Sequence, residues 1–162
     1  MLTVIVFPGI ILGYKIDKWK TKMSTDMEKL KNLHHWDVLA VSCIDGRFVK
    51  KTIDWVAAQT DGVFDFRTEV GSSKAIIDSP ADRERFFDLI ITSKKLHNIK
   101  ELWIIDHVDC GAYGGSSKFN NIGEEKEFHK GRLTLASKII ADRFPTIKVK
   151  TIFVDWGAIE EI

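Results

Sequence analysis

The order of apolar and amphipathic segments predicts an α/β protein with a mostly parallel central sheet of about four to five strands flanked by helices. Two near-continuous apolar runs of strand length, "DVLAVSC" from Asp37 and "ELWIIDH" from Glu101, are typical of strands that are covered on both faces. Segments with helical spacing of apolar residues separate the predicted strands. Because parallel strands need a long crossover, usually a helix, this alternation indicates repeated βαβ units.

The first half of the chain contains the first of these units. "DMEKLKNL" over 26–33 is typical of a short amphipathic helix and precedes the first strand. "RFVKKTIDWVAAQ" over 47–59 has helical spacing and is followed by "TDG", which carries a glycine stop signal. "VFDFR" over 63–67 alternates apolar and polar residues, which predicts a strand. The Gly-Ser-Ser break in "TEVGSSKAIID" over 68–78 predicts a loop or irregular segment.

The second half repeats the pattern with clearer boundary signals. Ser79 as N-cap and Pro80 in the first turn predict the start of a helix over "SPADRERFFDLIITSKKLHN". A long helix is expected over 124–144, although Gly131 inside it costs about 1 kcal/mol relative to alanine. "KVKTIFVDW" from Lys148 predicts the closing strand. The predicted apolar face of the helix that starts at Ser79 consists of Phe86, Phe87, Leu89, Ile90 and Leu96.

Length, charge and cysteine content limit the possible classes of protein. For 162 residues we expect one domain over 26–162, preceded by an apolar and basic N-terminal arm over 1–25. The 24 basic and 23 acidic residues nearly balance, which argues against a nucleic-acid partner and favours a small-molecule substrate. A chain with only two cysteines does not resemble a disulfide-rich secreted scaffold, so we expect a cytoplasmic location with free thiols.

The N-terminal stretch "MLTVIVFPGIILGY" is apolar, and four lysines follow it before Met23. It is too short for a spanning helix of about 20 residues and has neither the basic start nor the cleavage site of a signal peptide. We expect an extra strand or a hydrophobic arm that packs on a neighbouring subunit. Contact of residues 1–22 with a membrane surface is a less favoured alternative, and a natural start at Met23 or Met27 is a third.

Chemically active residues come at the ends of two predicted strands. Cys43 ends the first apolar strand, and His107 and Cys110 come at the end of the second. Ligands collect outside the carboxyl ends of strands in open α/β sheets, so the three side chains converge if these strands are neighbours. The His-x-x-Cys spacing brings both side chains to one side if a helical turn begins there. The alternative is that both cysteines are small buried apolar residues and the histidine is structural.

Two thiolates and one imidazole form a ligand set that suits Zn²⁺. Three protein ligands leave a fourth tetrahedral position open, as in catalytic zinc sites, and Asp45 could close that position. An exposed Asp and Arg close together usually contribute only about 0–1 kcal/mol. Asp45 and Arg47, however, follow an apolar strand beside a candidate ligand, where desolvation strengthens their interaction and favours a functional pair.

The motifs "CIDGR" and "HVDCG" resemble the Cys-x-Asp-x-Arg and His-x-x-Cys motifs of the β-class carbonic anhydrases. The resemblance extends over residues 36–162 and includes the order of strands and helices around both motifs. It implies a β-carbonic anhydrase-like fold with Zn²⁺ as the cofactor. The stretch "RTEVGSS" departs from the Arg-Asn-x-Ala-Asn sequence that is usual in the class, which affects the substrate pocket.

The resemblance implies reversible hydration of carbon dioxide to bicarbonate and a proton by a zinc-bound hydroxide. By position it makes Cys43, His107 and Cys110 the zinc ligands and Asp45 and Arg47 the catalytic pair. Asp45 would accept a hydrogen bond from the hydroxide, and Arg47 would keep that carboxylate ionised. It also implies a homodimer or a larger homo-oligomer. The alternatives are a carbon disulfide or carbonyl sulfide hydrolase on the same site and a non-catalytic zinc or bicarbonate-binding module.

Four further residues are assigned individually. Many members of the class carry a glutamine nine residues before the first cysteine, where this chain has His34. We therefore assign His34 to substrate binding or proton transfer, with a solvent-facing histidine as the alternative. Gly111 is also assigned to substrate binding, and the glycines of "GAYGGSS" are expected to let the backbone pass close to the metal site. His97 and His129 are predicted to be surface residues.

Overall fold

The computed structural model describes residues 27–162. Residues 1–26, which include the predicted N-terminal arm, lie outside the described residues, so the arm and its boundary with the domain stay predictions. The chain divides into two compact units, Met1–His34 and His35–Ile162. In the first unit residues 27–31 are helical, as the amphipathic pattern predicts.

A five-stranded sheet forms the centre of the second unit. Its strands in chain order are β1 (Val38–Cys43), β2 (Asp65–Glu69), β3 (Glu101–His107), β4 (Lys148–Val154) and β5 (Ile159–Glu161). In the sheet they lie in the order β2-β1-β3-β4-β5, with parallel pairing throughout except between β4 and β5. The predicted α/β class with a mostly parallel sheet of four to five strands is confirmed.

The α-helices of the second unit connect the parallel strands. They are α1 (Gly46–Gln59), α2 (Ser73–Asp78), α3 (Pro80–His97) and α4 (Ile122–Arg143). Helix α4 continues through Gly131, and Asn121 caps its first turn by accepting a hydrogen bond from the Glu124 N–H. Across the described part of the chain, residues 27–162, no helix combines the length and the apolar character needed to cross a membrane.

Both faces of the sheet are covered, which explains the near-continuous apolar sequence of β1. Leu39 and Val41 pack in a buried cluster with apolar residues of α3 and α4. Val38 and Ala40, which point to the other face, pack in a second cluster with apolar residues of α1. All four side chains are buried, so the strand has no solvated face and no polar alternation.

The segment 68–78, predicted as a loop or irregular segment, instead completes β2 and forms α2. Its Gly-Ser-Ser break marks only the turn between these two elements. A helix of this length is not stable by itself, so local sequence gives a weak signal for it. Tertiary contacts stabilise it, because Ala75 and Ile76 are buried and the Arg83 guanidinium donates hydrogen bonds to the carbonyl oxygens of Ile76 and Ile77.

Helix α3 begins as predicted, since the Ser79 hydroxyl accepts a hydrogen bond from the Asp82 N–H. The prediction for its apolar face is wrong at one residue. Leu96 is 56% exposed, whereas Phe86 and Ile90 are fully buried. At about 100° per residue, Leu96 lies about 120° around the helix from Ile90, which turns it away from the sheet.

His97, predicted as a surface residue, is half-buried and has two specific contacts. Its ring stacks on Trp36 with 3.8 Å between the ring centroids. Its Nδ1 lies 2.9 Å from the Asp65 carboxylate on β2. The prediction of a surface residue is therefore wrong, because a neighbouring strand supplies a partner that α3 alone does not reveal.

Substitutions on α3 should separate its buried face from its exposed face. We expect Ile90→Ala to lower the free energy of unfolding by about 2–5 kcal/mol, because it leaves a cavity in the core. Leu96→Ala, the matched control on the same helix, should change it by no more than about 0.5 kcal/mol. Urea unfolding followed by circular dichroism measures both values, and similar losses for the two variants would contradict the observed face.

Candidate metal centre

Three candidate ligands converge at the carboxyl end of the sheet. Strands β1 and β3 are adjacent and parallel, so Cys43, the last residue of β1, and His107, the last residue of β3, lie at the same edge of the sheet. The ligand atoms of Cys43, His107 and Cys110 all lie within 4.8 Å of one another, and all three residues are buried. Their convergence, expected from the sequence if the two strands are neighbours, is therefore present in the structure.

The backbone between the second and third ligands is a tight turn rather than the helical turn considered from the sequence. Asp109 has a φ of 55°, in the left-handed region that aspartate tolerates better than most residues. The short 3-10 helix Gly111–Tyr113 begins only after Cys110. A non-helical turn therefore brings His107 and Cys110 to one side.

The tautomer of His107 leaves one ring nitrogen for a metal. Nδ1–H donates a hydrogen bond of 2.7 Å to the carbonyl oxygen of Val108, and Phe48 stacks on the ring at 4.5 Å. Nε2 is buried and has no hydrogen-bond partner among the described residues. A buried acceptor without a partner is costly, and a bound metal would satisfy it.

The two cysteine side chains are close enough to form a hydrogen bond with each other. The Sγ atoms of Cys43 and Cys110 are 3.9 Å apart, and neither cysteine is in a disulfide. The hydrogen bond from Cys110 lowers the pKa of Cys43 although burial opposes this, and the same bond raises the pKa of Cys110. Two sulfurs and one imidazole nitrogen at this spacing are a donor set that fits Zn²⁺.

Asp45 and Arg47 form a close ion pair immediately after Cys43. Asp45 caps helix α1, and its Oδ1 accepts a hydrogen bond of 3.0 Å from the Arg47 backbone N–H. The guanidinium donates from Nε to both carboxylate oxygens, at 3.0 and 3.1 Å, and from Nη2 to Oδ2 at 2.6 Å. The side-chain hydrogen bond with Arg47 lowers the pKa of Asp45 to about 2, so the carboxylate is ionised at neutral pH.

Arg47 has a second acidic partner that the sequence analysis did not single out. Its Nη1 donates to Asp109 Oδ2 at 2.8 Å, and its Nη2 donates to the Asp109 carbonyl oxygen at 3.0 Å. Asp109 is in turn fixed by Glu125, whose Oε1 accepts a hydrogen bond of 2.7 Å from the Asp109 N–H. Glu125 is buried, and it lies four residues before the buried His129 on α4. Residues at this spacing share one face of a helix, and this is the signal in the sequence that could have identified Glu125.

A network of buried polar side chains surrounds Asp106, a residue of β3. Asp106, the residue before His107, accepts hydrogen bonds from the Ser73 N–H at 3.1 Å and the Ser73 hydroxyl at 2.6 Å. His129 on α4 donates from Nδ1 to the same carboxylate at 3.0 Å, and the Tyr113 hydroxyl contacts Ser73 at 2.8 Å. His129 is fully buried, so its prediction as a surface residue is wrong. Its partner lies on a distant strand, which the helix sequence does not reveal.

The two residues assigned to substrate binding are placed differently. Gly111 follows Cys110 directly, and a Cβ atom added to it would meet nothing within 4 Å, so the space beside it is open. His34 belongs to the first unit, and its side chain is exposed. Their roles stay predictions.

A protein-family model described as "Putative carbonic anhydrase" matches residues 34–161. The chain belongs to this carbonic anhydrase family. An uncharacterized protein of Rickettsia bellii is 32% identical over 154 residues, which cover 90% of this chain and 93% of the relative. An uncharacterized protein of Rickettsia conorii is also 32% identical, over 157 residues that cover 90% of this chain and 82% of the relative.

Two solved fungal structures share the fold of this carbonic anhydrase family member. The β-carbonic anhydrase CafA of Aspergillus fumigatus has a TM-score of 0.52 and 19% identity, over 96% of this chain and 91% of CafA. One of two tetrameric β-carbonic anhydrases of Sordaria macrospora has a TM-score of 0.55 and 16% identity, over 94% of this chain and 96% of the fungal one. The predicted β-carbonic anhydrase-like fold is therefore confirmed.

The buried contact between His129 and Asp106 should contribute to stability. His129→Leu keeps much of the side-chain volume but removes one of the donors to a buried carboxylate, so we expect it to lower the free energy of unfolding by about 3 kcal/mol. Lys130→Leu, at the exposed neighbouring position of α4, should change it by no more than about 0.5 kcal/mol. Chemical unfolding measures the difference, and equal effects would contradict a stabilising role for this contact.

Proposed function

We propose that this protein is a zinc-dependent carbonic anhydrase that interconverts carbon dioxide and bicarbonate with release of a proton. The observation that carries the proposal is the position of the ionised Asp45–Arg47 pair directly after a ligand of a buried two-sulfur, one-nitrogen centre. Membership of the carbonic anhydrase family supports the same class of reaction.

Cys43 Sγ, Cys110 Sγ and His107 Nε2 are the atoms that would hold zinc. Zinc bound there lowers the pKa of a coordinated water and so supplies a nucleophile near neutral pH. Phe48 covers one face of the His107 ring and restrains its orientation. The hydrogen bond from His107 Nδ1–H to the Val108 carbonyl fixes the tautomer in which Nε2 carries the lone pair that would bind the metal.

Asp45 is the residue that would orient the nucleophile. As an ionised carboxylate it can only accept hydrogen bonds, so it would accept one from the O–H of the nucleophile and thereby orient it for attack on carbon dioxide. Arg47 holds that carboxylate through three side-chain hydrogen bonds, which fixes its rotation about Cβ–Cγ. With a pKa of about 2, Asp45 does not take up the proton at neutral pH.

We further propose that the protein forms a homo-oligomer in the cytoplasm. Large apolar side chains that are more than half exposed follow three parallel strands at the carboxyl edge of the sheet, namely Ile44, Val70 and Trp156. Large exposed apolar side chains at one edge of a sheet favour a protein–protein contact there. The related structure from Sordaria macrospora is described as tetrameric. The cytoplasmic location rests on the two free cysteines.

Replacement of Asp45 should abolish most of the proposed activity. We expect Asp45→Ala to lower kcat/KM for carbon dioxide hydration by about 100-fold or more at unchanged zinc content, because the nucleophile loses its orientation. Asp54→Ala is the matched control, since Asp54 pairs with Lys50 on the same helix and is exposed. Stopped-flow measurement with a pH indicator gives both rates.

The hydration assay, together with an assay of sulfide release, separates the alternative functions. If the zinc-loaded wild type hydrates carbon dioxide no faster than buffer, the proposed reaction is wrong. Sulfide release from carbonyl sulfide or carbon disulfide would then indicate a hydrolase that uses the same site. The absence of both reactions would indicate a zinc or bicarbonate-binding module.

Metal binding is tested separately on the ligands. We expect Cys43→Ser and His107→Gln each to lose most of the bound zinc, because only two donors remain in each variant. His97→Gln, a substitution outside the centre, should keep about one zinc per chain. Elemental analysis after gel filtration measures the content. Full zinc occupancy in His107→Gln would contradict the assignment of the ligands.

A further inference from the structure

We propose that Asp109 is a positioning residue of the Asp45–Arg47 pair, and that the buried Glu125 sets the position of Asp109. The inference deepens the proposed function, on which its effect on catalysis rests. Asp109 lies between two metal ligands in sequence but, in this assignment, acts through its side chain on Arg47.

Asp45 alone holds only one edge of the Arg47 guanidinium. It accepts hydrogen bonds from Nε and Nη2, and this leaves Nη1 and the second N–H of Nη2 without a partner on that side. Asp109 accepts hydrogen bonds from both groups. Its carboxylate accepts from Nη1, and its carbonyl oxygen accepts from Nη2. The Arg47 side chain is 47% exposed, and the rings of Phe48 and Trp156, whose centroids lie 5.6 and 5.4 Å from its Cζ, contact it without accepting hydrogen bonds along the guanidinium edges. Two anchors on different edges fix the plane of the guanidinium, which one anchor does not.

Asp109 is itself held from the side away from Arg47. Its Oδ1 accepts a hydrogen bond of 2.9 Å from the Ser116 N–H, and its own N–H donates to Glu125 Oε1 at 2.7 Å. Glu125 is 1% exposed, and its Oε2 accepts a hydrogen bond of 2.6 Å from the Ser116 hydroxyl. Glu125 therefore holds both the backbone of Asp109 and Ser116, the residue whose N–H binds the Asp109 carboxylate.

The role of each carboxylate oxygen distinguishes positioning from a purely structural role. The turn uses Oδ1, which an asparagine would also supply, and asparagine tolerates the left-handed backbone of this position as well as aspartate does. Oδ2 contacts only Arg47 among the described residues. The turn therefore does not require a charged side chain at residue 109. The charge-assisted hydrogen bond with Arg47 does require one.

The substitution Asp109→Asn isolates the contact with Arg47. It keeps the turn but places an amide or a neutral oxygen against Nη1, so Arg47 loses a charge-assisted hydrogen bond. Asp78→Asn is the matched control, because Asp78 also pairs with an arginine and is 37% exposed against 36% for Asp109. Both variants are studied as full-length, zinc-loaded protein.

Two readouts are compared in these proteins. The first is the rate of exchange with water of the Arg47 Nε–H, observed by ¹⁵N NMR and assigned from its absence in Arg47→Lys. The second is the kinetics of carbon dioxide hydration. For Asp109→Asn we expect exchange to be about tenfold faster and kcat about tenfold lower, with KM and zinc content unchanged within about twofold. Asp78→Asn should match the wild type in both.

Substitutions of Glu125 test the second part of the proposal, that Glu125 sets the position of Asp109. In Glu125→Gln the amide oxygen still accepts from Asp109 and the amide nitrogen can donate to the Ser116 hydroxyl, so we expect Arg47 exchange close to that of the wild type. Glu125→Leu removes both contacts and should reproduce the faster exchange of Asp109→Asn. Glu124→Gln is the control on the adjacent, exposed residue.

Each outcome decides the proposal. Unchanged Arg47 exchange in Asp109→Asn would overturn the positioning role, whatever the activity, and equal exchange in Glu125→Leu and Glu124→Gln would overturn the part of Glu125. A wild-type protein without hydration activity would contradict the proposed function. The exchange rates would still show whether Asp109 positions Arg47, so the two failures are distinguishable.

Discussion

The parallel pairing of β1 with β3 is the constraint on which the site depends. It places the carboxyl ends of both strands at one edge of the sheet, so Cys43 and His107 lie side by side although 63 residues separate them in the chain. Pairing in the opposite sense would put these residues at opposite ends of the strands. Because both faces of these strands are buried, a shift of register by one residue would exchange the two core clusters and misplace every ligand.

Charge at this edge is balanced by shared partners. The sulfurs of Cys43 and Cys110 form a hydrogen bond with each other, and one guanidinium is shared between the carboxylates of Asp45 and Asp109. The first contact lowers the pKa of Cys43 and the second lowers the pKa of Asp45, so each favours the ionised form that the proposed role of that residue requires. The arrangement is compact because the second group of each pair belongs to the same short turn after β3.

Helix α4 supports this turn from behind with two buried polar residues. Glu125 and His129 are one helical turn apart, and they bind Asp109 and Asp106 respectively. Each of these aspartates immediately precedes a candidate ligand, Cys110 or His107. Buried polar groups of this kind are costly unless they are hydrogen-bonded, so these two contacts favour the observed backbone conformation around the ligands.

The sequence by itself determined the α/β class, the main strands, the ends of α3 and the candidate ligands, because periodicity, capping residues and motif spacing are local properties. Tertiary structure decided the rest. Helix α2 forms only because its apolar side chains are buried and Arg83 binds its carbonyl oxygens. The partner of His129 and the second partner of Arg47, Asp109, lie on segments that are distant in the chain. A side chain's burial and partners depend on which elements pack against it, and that information is not local.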